Sequence, residues 1–218
     1  MKHYLLIFFA TLIALTASLP LKAYNVPYES DFNDDDWTIV NVEEGSLTWY
    51  KDNTSSTFSV SGYSKGLTYK YDGKHAADDW AISSPIHLEA DKEYKVIHWG
   101  RRHRADYADH YDLYWGNSSD PEELKTNGTM LLEGSNLPTV MTKFVYIIKP
   151  TVTGDYYFGF HANMPEDLYY VYITGFKVTE NISLPGAVTA PKVTPGAEGA
   201  LSAILSWTWP TLDEDGVE

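Results

Sequence analysis

The spacing of short β-rich runs constrains this chain most. From Tyr24 onward, runs rich in Val, Ile, Thr, Tyr, Phe and Trp recur between Gly, Asn, Asp and Pro. No long stretch keeps the 3.6-residue apolar period of an amphipathic helix. The pattern predicts strands over residues 38–42, 47–51, 58–60, 67–71, 80–83, 94–101, 111–115, 130–133, 140–149, 156–162 and 169–179. A single helical turn is expected at 121–125, where Asp120 can cap and Pro121 suits the first helical position. So many short strands at this spacing specify an all-β sandwich or jelly roll. Period-two stripes then identify the inward faces: Tyr111, Leu113 and Trp115; Tyr156, Phe158 and Phe160; and Tyr170, Tyr172, Phe176 and Val178 on the last strand.

Composition narrows the class further. The chain has 17 Tyr, 7 Trp and 8 Phe among 218 residues, and no Cys. Aromatics fill β-sheet cores and also suit sugar-facing or interface surfaces. The missing cysteines exclude a disulfide framework, a thiolate nucleophile, a Cys-ligated zinc or an iron–sulfur cluster, and a lipoprotein anchor. With 16 Lys and Arg against 30 Asp and Glu the net charge is −14. That balance opposes nucleic-acid or anionic-membrane binding, which relies on basic residues to neutralise phosphates.

The ends of the chain read differently from its middle. Met1-Lys2-His3 precedes an apolar run from Tyr4 to Ala17, then Pro20 and Ala23. The run is shorter than the ~20 apolar residues a membrane span needs. Residues 1–23 are therefore expected to be a secretory signal peptide, giving a secreted or cell-surface protein. The main domain is expected at 24–182, a linker at 183–191, and strand-like runs at 192–194 and 201–207 within a final segment, 192–218. That segment is too short to bury its own core. It reads as the opening of a second β-sandwich, with further domains expected downstream. The alternative is a strand pair docked on the first domain, which would shelter Trp207 and Trp209.

Several motifs, taken in order, resemble one family. Pro27-Tyr28-Glu29-Ser30-Asp31-Phe32-Asn33, Trp37-Thr38-Ile39-Val40 and Leu47-Thr48-Trp49 resemble the first strands of the cleaved-adhesin, or choice-of-anchor, jelly-roll domains. Asp78-Asp79-Trp80-Ala81-Ile82-Ser83-Ser84-Pro85-Ile86 is similar to their most distinctive motif, an acidic pair and Trp before an Ile-Ser/Thr-x-Pro strand. Gly154-Asp155-Tyr156-Tyr157-Phe158-Gly159-Phe160 and Tyr172-Ile173-Thr174-Gly175-Phe176-Lys177-Val178 resemble the closing strands. Residues 184–210, with Leu205-Ser206-Trp207, resemble the start of a fibronectin type III domain. The resemblance implies a bacterial surface or secreted protein that binds rather than catalyses. It also implies a structural calcium in some members. Here the two ligand places read Asn33 and Thr174-Gly175, without the carboxylates a hard cation prefers, so no cofactor is expected; a structural calcium that takes Asp31 or Glu29 as substitute ligand is the alternative.

Catalytic signatures are absent by motif. His98, His103 and His110 lack zinc-protease spacing, and no G-x-S-x-G, P-loop or dinucleotide motif occurs. Asp34-Asp35-Asp36, Glu43-Glu44 and Glu122-Glu123 read as solvated turns, and Asp78-Asp79 as a turn cap. A carboxylate dyad of a carbohydrate hydrolase stays open as a lesser alternative. One local cluster runs against the global charge: Arg101, Arg102, His103 and Arg104, followed by Tyr107. It ends a strand and enters a loop, where sandwich ligands are met. Arg beside Tyr can grip acidic sugars or peptide carboxylates. Neutralisation by Asp106 and Asp109 is the competing reading. Tyr63, Tyr69 and Tyr71 form a second aromatic group, with core packing the simpler account. The expected function is a secreted, adhesin-like module binding a glycan or an extracellular protein. The alternative is an architectural spacer of a larger protein.

Overall fold

The computed structural model describes residues 22–182 except 33, 43, 44, 46, 55, 59 and 61, together with 189–196, 198 and 203–208. Residues 1–21 of the expected signal peptide, Asn33, most of the expected linker and Trp209 lie outside the described residues.

The chain opens with two short strands, β1 (Tyr24–Asn25) and β2 (Tyr28–Ser30), then β3 (Trp37–Asn41), β4 (Tyr50–Asp52) and β5 (Gly66–Lys70). Next come β6 (Asp79–Ser83), β7 (Ile86–Leu88), β8 (Tyr94–Arg102) and β9 (Asp112–Gly116). Helix α1 (Pro121–Asn127) leads into β10 (Thr129–Leu132), β11 (Thr142–Ile148), β12 (Gly154–Ala162) and β13 (Tyr170–Glu180). A separate hairpin, β14 (Thr189–Pro195) and β15 (Ala203–Thr208), follows.

Two sheets form a jelly-roll β-sandwich. The seven-stranded sheet runs β1-β7-β12-β6-β3, and β9 and β10 extend it from the other edge of β12. The six-stranded sheet runs β11-β8-β13-β5-β4, with β2 also paired to β13. The interior is aromatic. The Trp37 and Phe160 rings stack 5.5 Å apart, and Phe158 lies 5.2 Å from Phe176. Polar tips find partners: Trp49 Nε1 donates to Asp79 O at 3.1 Å and Tyr69 OH to Asp79 Oδ2 at 2.8 Å. Burying such rings with their hydrogen bonds made is the favourable way to use Tyr and Trp inside. A smaller cluster of Trp80, Ile82, Tyr114 and Leu124 seats α1 on the seven-stranded sheet. The helix begins as its sequence requires: Asp120 accepts from Glu123 N at 3.0 Å and Pro121 occupies the first turn.

Most expected strands are present within a residue or two. Two expectations differ more: in place of a strand over 47–51, β4 begins only at Tyr50, and at 58–60 Phe58 is buried but only an isolated bridge joins Val60 to Tyr63. The inward stripes of β9 and β12 are borne out. The stripe assigned to the last strand is not. Thr174 pairs with Trp99 but Lys177 pairs with Ile97, so β13 spends one residue more than β8. This bulge reverses side-chain parity. Phe176 and Val178 enter the core with Val171 and Ile173, whereas Tyr170 and Tyr172 lie on the outer face. Asp78-Asp79 also differs from expectation. Asp79 is buried under Tyr69, and Asp78 Oδ1 meets His161 Nε2 at 2.6 Å.

In β14 and β15, Val193, Ile204, Leu205 and Trp207 are exposed. No helix among the described residues is long and apolar enough to cross a membrane.

Candidate binding face

The outer face of the six-stranded sheet carries the basic cluster. Directly opposed residues on neighbouring strands share a face. The register therefore lays Arg101, Tyr172, Thr68 and Tyr50 in one row across β8, β13, β5 and β4. Trp99 lies in the adjoining row between Thr174 and Lys143. The Tyr63 ring packs 5.3 Å from Trp99. Gly175, at φ +61°, permits this: a Cβ there would come within 2.6 Å of Tyr63 and 2.8 Å of Trp99.

Arg101 lies flat over the Tyr172 ring, its Cζ 4.1 Å from the centroid. It is half-buried, and its only hydrogen bond among the described residues is a 3.4 Å contact from Nη1 to Arg102 O. No carboxylate forms an ion pair with it among those residues. Burial lowers its pKa, partly offset by Tyr172, but an arginine remains charged at neutral pH. The stacked guanidinium thus keeps most of its in-plane donors for an incoming acceptor.

Beneath it, Tyr172 OH meets His103 Nδ1 at 2.5 Å. Burial pushes the Tyr172 hydroxyl up to about 12, so it stays protonated. His103 is pulled down by burial and by Arg101 and Arg104, and is therefore neutral. With Nδ1 accepting from Tyr172, the imidazole proton sits on Nε2, which becomes a donor. Tyr170 stacks parallel to Tyr172 at 6.1 Å. At the loop end, Tyr169 lies between Tyr107, 5.3 Å away, and Tyr71, 5.9 Å away.

The five residues singled out in sequence therefore take different roles. Arg102 Nη1 donates to Tyr107 O at 3.2 Å and holds the loop. Arg104 makes a two-pronged pair with Asp106 at 3.0 and 2.8 Å, so neutralisation describes this residue correctly. Asp109 instead accepts from the Tyr169 backbone N–H, anchoring the loop from its other side. Tyr107 packs on Tyr169, and His103 on Tyr172. Arg101 is left as the open cation. Of the second tyrosine group, Tyr69 is core, Tyr63 covers Trp99 and Tyr71 joins the loop stack. Sequence reading missed Tyr172, Tyr170 and Tyr50. The available signal was Thr174-Gly175 inside an otherwise continuous strand, a mark of a bulge.

His98 belongs to the interior: it is fully buried, meets Tyr111 OH at 3.0 Å and stacks on Phe144. Burial pushes its pKa down to about 3. At the place implied for calcium, Thr174 donates its hydroxyl to Lys65 O, and Asn33 lies outside the described residues. Among the described residues no three His, Cys, Asp or Glu side chains gather as metal ligands.

Comparison with known proteins gives the fold its relatives. No protein-family model matches the chain, and no curated protein matches it in sequence. Among solved structures, the K1 cleaved adhesin domain of Lys-gingipain from Porphyromonas gingivalis superposes with a TM-score of 0.54 at 16% identity, covering 71% of this chain and 98% of that domain. The K2 cleaved adhesin domain of Lys-gingipain gives 0.52 at 13% identity, over 70% of this chain and 99% of that domain. The K3 domain from P. gingivalis gives 0.50 at 12%, over 70% and 98%. The jelly-roll fold is thus one that cleaved adhesin domains also adopt.

Proposed function

We propose that this chain is an adhesin-like binding module that acts outside a bacterial cell and recognises a glycan bearing a carboxylate, such as a uronic or sialic acid residue. The observation that carries this reading is Arg101. In a protein with 30 acidic and 16 basic side chains, it is half-buried, flat on an aromatic ring and without a carboxylate partner among the described residues. A carboxylate can accept two parallel N–H bonds from such a guanidinium. Tyr50, in the same row, is exposed and offers a ring face to a sugar at little entropic cost.

Export by residues 1–23 and continuation into a second β-sandwich from 192 onward complete the proposal. The chemistry of the carboxylates supports binding over hydrolysis. A glycosidase acid needs a raised pKa in a site open to substrate. Asp109, raised by burial, is instead bonded to the Tyr169 backbone.

The test is a glycan array with the wild-type protein and Arg101→Ala. The expected result is binding to acidic glycans that the substitution removes. Equal binding by both proteins, or no bound glycan at all, overturns the reading; the second outcome favours a spacer.

A further inference from the structure

A second opening lies at the other end of the sandwich. The inward stripes of β9 and β12 terminate at Trp115 and Tyr156, whose rings sit 5.1 Å apart at 33°. They wall a cavity of about 300 Å³, also lined by Asn117, Asn127 and Lys149. These residues come from four places: the ends of β9 and β11, the start of β12 and the C-terminal end of α1. Among the described residues no carboxylate lines the cavity itself, in a chain whose net charge is −14, although Glu123 holds Asn127 from behind. Its floor is held close by two glycines. A Cβ on Gly116 would lie 3.3 Å from Gly128 Cα, and one on Gly128 would lie 2.3 Å from Leu124 O. A side chain at Gly128 would clash with the end of α1, and one at Gly116 would crowd Leu124 and Gly128.

The cavity is remote from Arg101. Thr142 pairs with Gly100 at one end of the β8–β11 ladder, and Ile148 pairs with Tyr94 at the other. Lys149 follows Ile148, so Arg101 and the cavity occupy opposite ends of the strands.

We propose that this mouth is a second binding site and takes a single sugar residue. Its volume is at the low end for ligand pockets, enough for one ring rather than an extended oligosaccharide. The Trp115–Tyr156 wall matches the apolar face of a pyranose. Asn117 offers both donor and acceptor, as a hydroxyl requires; Asn127 Nδ2 already donates to Glu123 Oε2 at 2.6 Å, which leaves its carbonyl oxygen and second N–H, and Lys149 adds donors. Among the described residues the Trp115 indole N–H has no protein acceptor, leaving it for a ring hydroxyl.

The experiment follows the tryptophan indole N–H signals of the full chain by NMR during titration with methyl glucoside, methyl galactoside and methyl N-acetylglucosaminide. Trp115→Phe assigns the Trp115 signal. The expected result is a saturable shift of that signal at millimolar concentration of at least one sugar. Lys149→Ala and Asn127→Ala, both exposed and outside the core, should weaken binding several-fold, and Arg101→Ala should leave it unchanged. No saturable shift with any of the three sugars overturns the proposal. So does a shift indifferent to both cavity variants, or one lost with Arg101. Acidic-glycan binding at Arg101 is read separately on the array, so either site can fail without the other.

Discussion

Arg101 pairs a planar cation with a planar ring, and the shape matters as much as the charge. A lysine keeps the charge but neither lies flat on Tyr172 nor offers the bidentate fork. Arg101→Lys is expected to bind acidic glycan about tenfold more weakly than wild type, a difference of ~1.4 kcal/mol. Its urea midpoint should fall only slightly, by the ~0.5–1 kcal/mol of a lost cation–π contact with Tyr172, because the arginine makes just one weak hydrogen bond to the fold. Calorimetry and denaturation together check both halves. The sequence drew attention to this residue because three arginines in four positions stand out in an acidic chain. It could not rank them. Which arginine is neutralised depends on Asp106 folding back beside Arg104, and which is open depends on Tyr172 coming beneath Arg101. Those contacts follow from loop geometry and strand register.

At the scale of elements, the decisive feature is the bulge in β13. Strands and helix α1 were readable because alternation, turn residues and caps are local signals. Three of the four shortest strands, β1, β2 and β7, were not, since two or three residues carry no period, and the fourth, β4, begins at Tyr50 rather than at residue 47. The bulge was legible only as a Gly in a strand, yet it decides whether Tyr170 and Tyr172 serve the core or the surface. Gly175 holds it with a left-handed backbone under two aromatic rings. Gly175→Ala is expected to destabilise the protein by about 2–3 kcal/mol, from the left-handed conformation plus overlap with Tyr63 and Trp99. Urea denaturation measures the loss. A cost below that of an exposed Gly-to-Ala exchange would refute this account of the bulge.

The whole molecule is held by aromatic packing without disulfides, and that interior includes an uncharged histidine. In the unfolded chain His98 takes a proton near pH 6.5, whereas in the fold it does so only near pH 3. Between those values the unfolded state binds more protons, so stability falls as pH falls from about 6.5 toward about 3. Below that the effect levels off. His161, also lowered by burial, contributes in the same direction. His98→Gln retains an acceptor for Tyr111 but cannot titrate. Relative to wild type, its stability should fall less steeply over this range, a difference of a few kcal/mol between the ends. Chemical denaturation at stepped pH values checks the slope, and parallel wild-type and variant curves would contradict the assignment. Strand length has a different consequence. β8 and β12 each run nine residues, so the arginine face and the tryptophan mouth open toward opposite poles, about 30 Å apart at ~3.3 Å per residue. With both proposed sites binding, such a particle would act as a coupler. It would then join an acidic glycan to the terminal sugar of another, so a dilute mixture of the two polymers should thicken as protein is added and thin again once excess protein occupies every chain singly.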